Sequence, residues 1–207
     1  MTAEIVGVIL AGGKSNRMSG QDKSFIELGE KSLIQHVIER ARPQVVELII
    51  NTNNRGDPRY TNFHLPVLAD TSPDKFAGPL AGILTGMDYI TKTRPNFSQL
   101  ASFPVDSPFC PQDLVTRLDE ALQLHQAKIA IPRYRGQVHW VTGVWSTDLR
   151  DNLHTFLVER RQRKMQDWVQ QQSFCVVDFD DYHVDPFCNI NTPQDLNDAA
   201  AHLQESR

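Results

Sequence analysis

Four predicted strands end in residues whose side chains or backbone could bind an anionic ligand and a metal ion. The strand-like runs end at Leu10-Ala11-Gly12-Gly13, at Asn51, at Asp70 and at Asp106. In open α/β sheets, ligands bind beyond the carboxyl ends of the strands, so we expect these groups to meet at one rim. Each of them alone could simply end a strand or cap a helix. Together, beside a basic loop, they predict a binding site.

That loop, GGKSNRMSGQDKS (12–24), is rich in glycine and positive charge, with Lys14, Arg17 and Lys23. Glycine lets backbone N–H groups close on phosphate oxygens without a Cβ in the way. Arginine and lysine can neutralise phosphate charge, arginine as a fork and lysine as a point charge. The loop is not a P-loop, because counting back from Gly13 puts the first required glycine at Val8. It predicts a phosphate-binding turn of another kind.

Asp106 has the features of a carboxylate that holds a metal ion. It ends the buried run LASFPVD (100–106), and Ser107-Pro108 stops the strand directly after it. Mg²⁺ is usually held by one or two carboxylates together with substrate phosphates. We therefore predict Mg²⁺ at Asp106.

Composition limits the class of protein. The 207 residues, 40% hydrophobic and 22% charged, fit one soluble globular domain over 1–207. A net charge of −4 argues against a nucleic-acid binder. No apolar stretch approaches the ~20 residues that a membrane helix needs. The N-terminus lacks a basic leader and the three cysteines are widely spaced, so we expect a cytoplasmic protein without a membrane partner.

The apolar pattern predicts the elements that must position these groups. Buried β-rich runs that alternate with helical periodicity indicate an α/β fold with a mostly parallel sheet. Thr192 and Pro193 are typical of the N-cap and first position of a last helix. Strands are predicted at 4–10, 45–51, 65–70, 100–106, 127–133 and 174–179, and helices at 33–42, from 78, 111–124, near 147–158, 161–171 and from 193.

Four segments carry a resemblance to a known family. LAGGKSNRMSGQDKS (10–24) resembles the signature L-A-G-G-x-S-x-R-M-G-x-D-K of nucleotidylyltransferases with a glycosyltransferase-A-like fold. GPLAGI (78–83), FPVDSPF (103–109) and FCNINTPQDL (187–196) are similar to one branch, the molybdenum cofactor guanylyltransferase family. The resemblance covers nearly the whole chain. It implies a three-layer Rossmann-like fold, a twisted sheet with helices on both faces, whose N-terminal half binds nucleotide and whose C-terminal half binds the acceptor.

The resemblance also implies an activity and roles for individual residues. GMP would pass from GTP to the terminal phosphate of molybdenum-molybdopterin, releasing pyrophosphate and forming molybdopterin guanine dinucleotide. The acceptor would meet Asn189 and Asn191 of the N-x-N motif, as well as Gly82 and Arg163, although close helix packing explains Gly82 equally well. GTP would contact Leu10, Ala11, Gly12, Gly13, Lys23, Asn51, Asp70 and Asp106.

Two segments depart from the family pattern. GQVHWVTGVW (136–145) keeps a histidine, His139, but has Trp140 where proline is usual, so His139 fits a pterin contact or an ordinary core or surface position. ERRQRKM (159–165) stands where relatives have a shorter basic segment. Its charges, Arg163 among them, could receive the acceptor or form a solvated helix face.

Charge suggests how such a reaction would proceed. A phosphate monoester with a second pKa of about 6 is mostly a dianion near neutral pH, so it needs no general base. We expect Lys23, Arg17, the loop amides and Mg²⁺ on Asp106 to cancel the repulsion between acceptor and triphosphate, which makes these three side chains the catalytic candidates.

Other readings of the same residues stay open. One is a related nucleotidylyltransferase that uses CTP with a pterin, or GTP with another phosphorylated acceptor. Another is a GTP-binding carrier without catalysis, against which the pair of carboxylates counts. We expect a monomer. Contact with molybdoenzyme chaperones or other cofactor-synthesis proteins suits the role, although no residue pattern points to it.

Overall fold

Strands and helices alternate along the chain, as the apolar pattern predicts. The structure, a computed structural model, describes residues 4–12, 22–71 and 78–205. Its strands are β1 (Ile5–Leu10), β2 (Glu27–Leu28), β3 (Lys31–Ser32), β4 (Glu47–Asn51), β5 (Val67–Leu68), β6 (Gln99–Pro104), β7 (Ile129–Tyr134), β8 (Gln137–Val138), β9 (Gly143–Ser146) and β10 (Phe174–Asp178). Its α-helices are α1 (Leu33–Ala41), α2 (Pro79–Thr93), α3 (Leu114–His125), α4 (Arg150–His154), α5 (Met165–Val169) and α6 (Pro193–Glu205).

The large sheet is mostly parallel and reverses its strand order beside β1. Its order is β10-β7-β9-β6-β1-β4-β5, with β8 paired to β7, while β2 and β3 form a separate hairpin. The pairs among β6, β1, β4 and β5 and the pair β7–β10 are parallel, whereas β9 is antiparallel to both of its neighbours. The chain adds β4 and β5 on one side of β1 and β6 on the other. A crevice for a ligand is therefore expected at the carboxyl ends of β1 and β6.

Helices cover both faces of this sheet, which confirms the predicted three layers. Since side chains of a strand alternate between faces, β1 contributes to two cores. Ile5 and Ile9 lie in the core beneath α1 and α3. Val8 and Leu10 lie in the core that includes residues of α2, α4 and α5. Both cores hold the carboxyl end of β1 in a fixed position.

A third, smaller cluster fastens the last helix near the segment that follows the basic loop. Ala199 of α6 belongs to this cluster together with Ile26, Leu28 and Phe109. The helix α6 is thereby fixed beside the residues that follow Lys23 and Asp106. No helix among the described residues is both long enough and apolar enough to span a bilayer.

The prediction of a helix over 161–171 is wrong in its first turn. Arg161 has a left-handed φ of 54° and Lys164 is extended, so α5 begins only at Met165. The basic run is consequently an exposed loop rather than a helix face. The apolar pattern also gave no sign of β8 and β9, and it extended β5 beyond its two residues.

Candidate active site

A cleft of about 390 Å³ opens at the carboxyl ends of β1 and β6, where the strand order reverses. One wall is the end of β1 with Gly12 and Lys23. The floor includes Asp106, and the opposite wall is the loop 139–142 with Phe187. The cleft is therefore lined by residues from both halves of the chain.

An ion pair lies in this cleft between Lys23 and Asp106. Lys23 Nζ is 3.0 Å from Asp106 Oδ2, and it also donates to Asn191 Oδ1 at 2.5 Å. About a fifth of the Lys23 side chain and a quarter of the Asp106 side chain are exposed. A cation and a carboxylate from two distant parts of the chain therefore line the cleft, and Asn191 holds the cation from a third part.

Asp22 and Tyr60, neither of which was predicted from the sequence as a site residue, determine where Lys23 stands. Asp22 caps the 3₁₀ turn Lys23–Phe25 by accepting a hydrogen bond from Ser24 N at 3.0 Å. Its other oxygen accepts from Tyr60 Oη at 3.0 Å. Tyr60 is fully buried, and burial raises its pKa to about 12, so the phenol remains a donor at neutral pH. The D-K pair of the signature was the only sequence signal for Asp22, and Tyr60 had none.

The N-x-N segment is tied to the Asp106 loop and to the start of α6. Ile190 N donates to Asp106 O at 2.9 Å, and Ser107 Oγ donates to Asn189 Oδ1 at 2.9 Å. Asn191 N and Thr192 N both donate to Asp195 Oδ2 at 2.8 Å.

The predicted cap of α6 is confirmed by the reciprocal bond. Asp195 N donates to Thr192 Oγ1 at 3.1 Å, so the side chain of each residue accepts a hydrogen bond from the backbone N–H of the other. Backbone donation from Asn191 and Thr192 lowers the pKa of the Asp195 carboxyl. The cap thereby fixes the backbone that presents Asn191 to Lys23.

Asn51 and Asp70 meet at the other side of β1. Asn51 Nδ2 donates to Asp70 Oδ1 at 3.0 Å, and the Asn51 carbonyl accepts from Ala11 N at 2.9 Å. Asn51 is buried, whereas Asp70 is partly exposed. By the order of the sheet, these two residues and Asp106 lie on opposite sides of β1.

Gly82 lies where α2 approaches these strand ends most closely. A Cβ at this position would come within 2.5 Å of Leu10 Cδ2 and 2.6 Å of Asn51 Oδ1. The residue is buried in the helix. Close packing beside Asn51 is thus its visible role, and a contact with the acceptor stays a prediction.

His139 forms part of the far wall rather than the surface. Its ring lies 4.8 Å from that of Phe187, and 8% of its side chain is exposed. His139 Nε2 has no hydrogen-bond partner among the described residues and stands 3.8 Å from Asp185 Oδ1. Burial lowers the pKa of His139, so the imidazole is neutral at pH 7.

Five of the predicted site residues that the structure describes do not line this cleft: Asn51, Asp70, Gly82, Asn191 and Arg163. Arg163 stands in the exposed loop before α5 and is not among the described residues that line the cleft. Gly13 and Arg17 lie outside the described residues, as does Lys14. Their roles stay predictions.

The oxygen atoms around Asp106 suit a hard divalent cation. Among the described residues, no group of three or more His, Cys, Asp or Glu side chains could hold a metal by itself. Asp106 nevertheless supplies a carboxylate, whose Oδ2 accepts from the same Lys23 ammonium as Asn191 Oδ1. Asn189 Oδ1 accepts from the neighbouring Ser107 Oγ. A cation of the Mg²⁺ type takes one or two carboxylates and completes its shell with substrate phosphates and water. The donor set fits that arrangement.

Known proteins similar to this chain include nucleotide-transferring enzymes. Residues 7–174 match the family model of the MobA-like NTP transferase domain. The molybdenum cofactor guanylyltransferase of Mesorhizobium japonicum is 41% identical over 208 residues, covering 99% of this chain and 98% of that protein. The protein of the same name from Shewanella sp. strain MR-4 is 38% identical over the full length of both. The crystal structure of molybdopterin-guanine dinucleotide biosynthesis protein A from Archaeoglobus fulgidus has a TM-score of 0.78 at 20% identity, covering 97% and 99% of the two chains.

A cleft at the switch point of the sheet that is lined by a cation, a carboxylate and the backbone of Gly12 is suited to phosphate chemistry. The fold and these relatives define the protein as a nucleotidyltransferase. Within that class, the chain belongs to the molybdenum cofactor guanylyltransferase family.

Proposed function

We propose that this protein transfers GMP from GTP to the terminal phosphate of molybdenum-molybdopterin, releasing pyrophosphate and forming molybdopterin guanine dinucleotide. The observation that carries the proposal is the Lys23–Asp106 pair in a cleft at the switch point of the sheet. The names of relatives that are 38–41% identical over nearly the whole chain support both the guanylyl donor and the molybdenum cofactor acceptor.

The order of the strands supports one arrangement of the two substrates in the cleft. GTP would lie against Leu10, Ala11 and Gly12, with its nucleoside toward Asn51 and Asp70. The acceptor would enter from the side of β9, beside loop 139–142 and Asn189. The phosphates would then meet between these regions, at Lys23 and Asp106. In this scheme residues 1–207 form one domain with a nucleotide end and an acceptor end.

The chemistry follows from charge and position. An oxygen of the acceptor phosphate attacks the α-phosphorus of GTP, and the bond from the α-phosphorus to the α,β-bridging oxygen breaks. The electron pair of that bond leaves with pyrophosphate. The attacking phosphate is largely a dianion at neutral pH, so no residue has to remove a proton. The task of the protein is to hold two anions together in line.

Lys23 is the described residue best placed to offset the repulsion between these anions. Its ammonium group is held by Asp106 and Asn191, so its position is determined before substrate arrives. Arg17 and the backbone of Gly13 would add donors from the same loop. A bound Mg²⁺, held by Asp106 with the amide oxygens of Asn189 or Asn191, would neutralise further phosphate charge.

The direct test is pyrophosphate release from the purified protein with molybdenum-molybdopterin, Mg²⁺ and each of GTP, CTP and ATP. We expect release with GTP and acceptor together, and formation of the dinucleotide in the same amount. Release with CTP instead would favour a related cytidylyltransferase. Stoichiometric GTP binding without pyrophosphate would indicate a carrier. A monomeric state, a cytoplasmic location and contact with chaperones stay predictions.

A further inference from the structure

The three tryptophans of this chain differ in a way that points to a ligand. Trp145 and Trp168 are fully buried, with ring centroids 5.9 Å apart. The indole N–H of each is hydrogen-bonded within the protein. Trp145 donates to Ser102 Oγ and Trp168 donates to Asn152 Oδ1, both at 2.8 Å. Trp140 is partly exposed, lines the cleft, and has no hydrogen-bond partner for its indole among the described residues.

The backbone around Trp140 is fixed from both sides. His139 N donates to Pro132 O at 3.0 Å, and Thr142 N donates to His139 O at 3.2 Å. The Trp140 ring also lies 6.4 Å from that of Phe174. A large aromatic side chain is therefore held at the cleft by a loop anchored on β7, which lowers the entropy cost of using it for binding.

The location of Trp140 distinguishes between the two substrates. Its loop leads into β9, and β9 is the neighbour of β6 on the side away from β1. Asn51 and Asp70 lie on the opposite side of β1, with Asp106 between the two regions. A nucleoside held near Asn51 would thus not reach Trp140, whereas a second substrate joined at the phosphates would.

We propose that Trp140 is the platform that recognises the fused heteroaromatic ring of the acceptor, an inference that rests on the proposed function. The flat indole offers stacking to a bicyclic ring, and Val138 and Val141 extend the same apolar wall. The indole N–H remains able to donate to a ring nitrogen or carbonyl. Trp140 is then a specificity-determining residue for the acceptor and makes no contact with the guanine base.

Steady-state kinetics of Trp140→Ala and Trp140→Phe test this assignment. We expect Trp140→Ala to raise KM for molybdenum-molybdopterin about tenfold, because an aromatic stack on a base has roughly that effect. KM for GTP and kcat should stay within about twofold, and Trp140→Phe should retain most of the acceptor affinity. Leu124→Ala, which removes an exposed apolar side chain from α3, is the control.

The outcomes separate the possible roles of the ring. A rise of KM for GTP alone would mean that Trp140 contacts the guanine. Unchanged kcat and KM values in a folded Trp140→Ala protein would mean that Trp140 contacts neither substrate. Either result would overturn the inference. Failure of the wild type to release pyrophosphate would refute the proposed function instead.

A binding measurement tests the platform even without turnover. Titration with 6-hydroxymethylpterin should change the wild-type tryptophan emission saturably, because two of the three indoles are buried away from the cleft. In the same titration of Trp140→Phe, the emission should fall only without saturation, because the pterin absorbs part of the light. Saturable change in both proteins, or in neither, would contradict the proposal.

Discussion

The Lys23 ammonium lies 3.0 Å from Asp106 Oδ2, although 83 positions separate the two residues in the chain. The pair connects the segment after β1 to the segment after β6, across the point where the strand order reverses. Most of both side chains is shielded from water, so the desolvation cost offsets much of their attraction and the pair is weak evidence for stability. The pair is therefore better explained by what it binds than by what it adds to folding.

Replacing Asp106 should lower the activity of the enzyme and leave its stability nearly unchanged. We expect Asp106→Asn to lower kcat for pyrophosphate release at least about 100-fold, because the carboxylate that would hold Mg²⁺ is lost. The melting temperature should change by no more than about 3 °C. Parallel activity and thermal-unfolding measurements check both expectations.

Asp148→Asn is the matched control for Asp106. Asp148 pairs with Lys128 on the surface, away from the cleft, so its removal should leave kcat unchanged. An Asp106→Asn enzyme with wild-type turnover would mean that the metal is held elsewhere.

Lys23→Ala should weaken nucleotide binding and slow turnover together. The ammonium is positioned before substrate binds and faces the place where phosphate charge would accumulate, so we expect kcat/KM for GTP to fall about 100-fold. Lys31→Ala removes an exposed lysine that pairs with Glu39 and should have no such effect. Kinetics of Lys23→Ala that match those of Lys31→Ala would refute a phosphate contact.

Tyr60→Phe should lower stability and make it less sensitive to alkaline pH. Burial raises the folded-state pKa of Tyr60 to about 12, above its ordinary value of 10. The neutral phenol is thus favoured by folding, and its contribution is present below pH 10 and lost as pH rises from about 10 through about 12.

Urea unfolding of wild type and Tyr60→Phe from pH 8 to 12 measures this contribution. We expect the variant to be about 1–2 kcal/mol less stable at pH 8, since Asp22 and Ser24 lose a partner. Its stability should then fall less steeply than that of the wild type. Identical slopes would mean that Tyr60 titrates normally in the folded protein.

Comparison of Gly82→Ala with Gly86→Ala shows whether Gly82 matters only for packing of α2 or also for substrate binding. A methyl group at Gly82 meets Leu10 and Asn51, whereas one at Gly86 meets Leu100, away from the cleft. We expect both variants to lose about 1–3 kcal/mol of stability through overpacking. Only Gly82→Ala should raise KM for GTP, by about fivefold, because it displaces Asn51.

The kinetic result also decides between the two roles that the sequence left open for Gly82. A raised KM for the acceptor with unchanged KM for GTP would support a contact with the acceptor. Equal effects of the two substitutions on both constants would leave packing as its only role.

Residues that determine local structure were predictable from the sequence, and those that act through distant contacts were not. The β1 strand and the β6 strand follow from unbroken apolar runs, although β6 ends at Pro104, two residues before the predicted end at Asp106. The cap of α6 at Thr192 follows from short-range hydrogen bonding. Each of these features depends on neighbours within a few positions.

Tyr60 and β9 show why the remainder escaped prediction. Tyr60 reaches Asp22 across 38 positions, and its own surroundings are a short 3₁₀ helix without periodicity. The four residues of β9 form a strand because β6 and β7 pair with them on both sides, and such partners are invisible in a local pattern. Trp140 lies on the loop between β8 and β9, which is anchored on β7 by the hydrogen bond from His139 N to Pro132 O.

A crystal structure of the full chain with GTP and Mn²⁺ tests the central claim most directly. We predict an anomalous manganese signal at Asp106, with the triphosphate beside Gly12 and Lys23. Manganese bound away from Asp106, or a triphosphate that contacts neither Gly12 nor Lys23, would contradict the account.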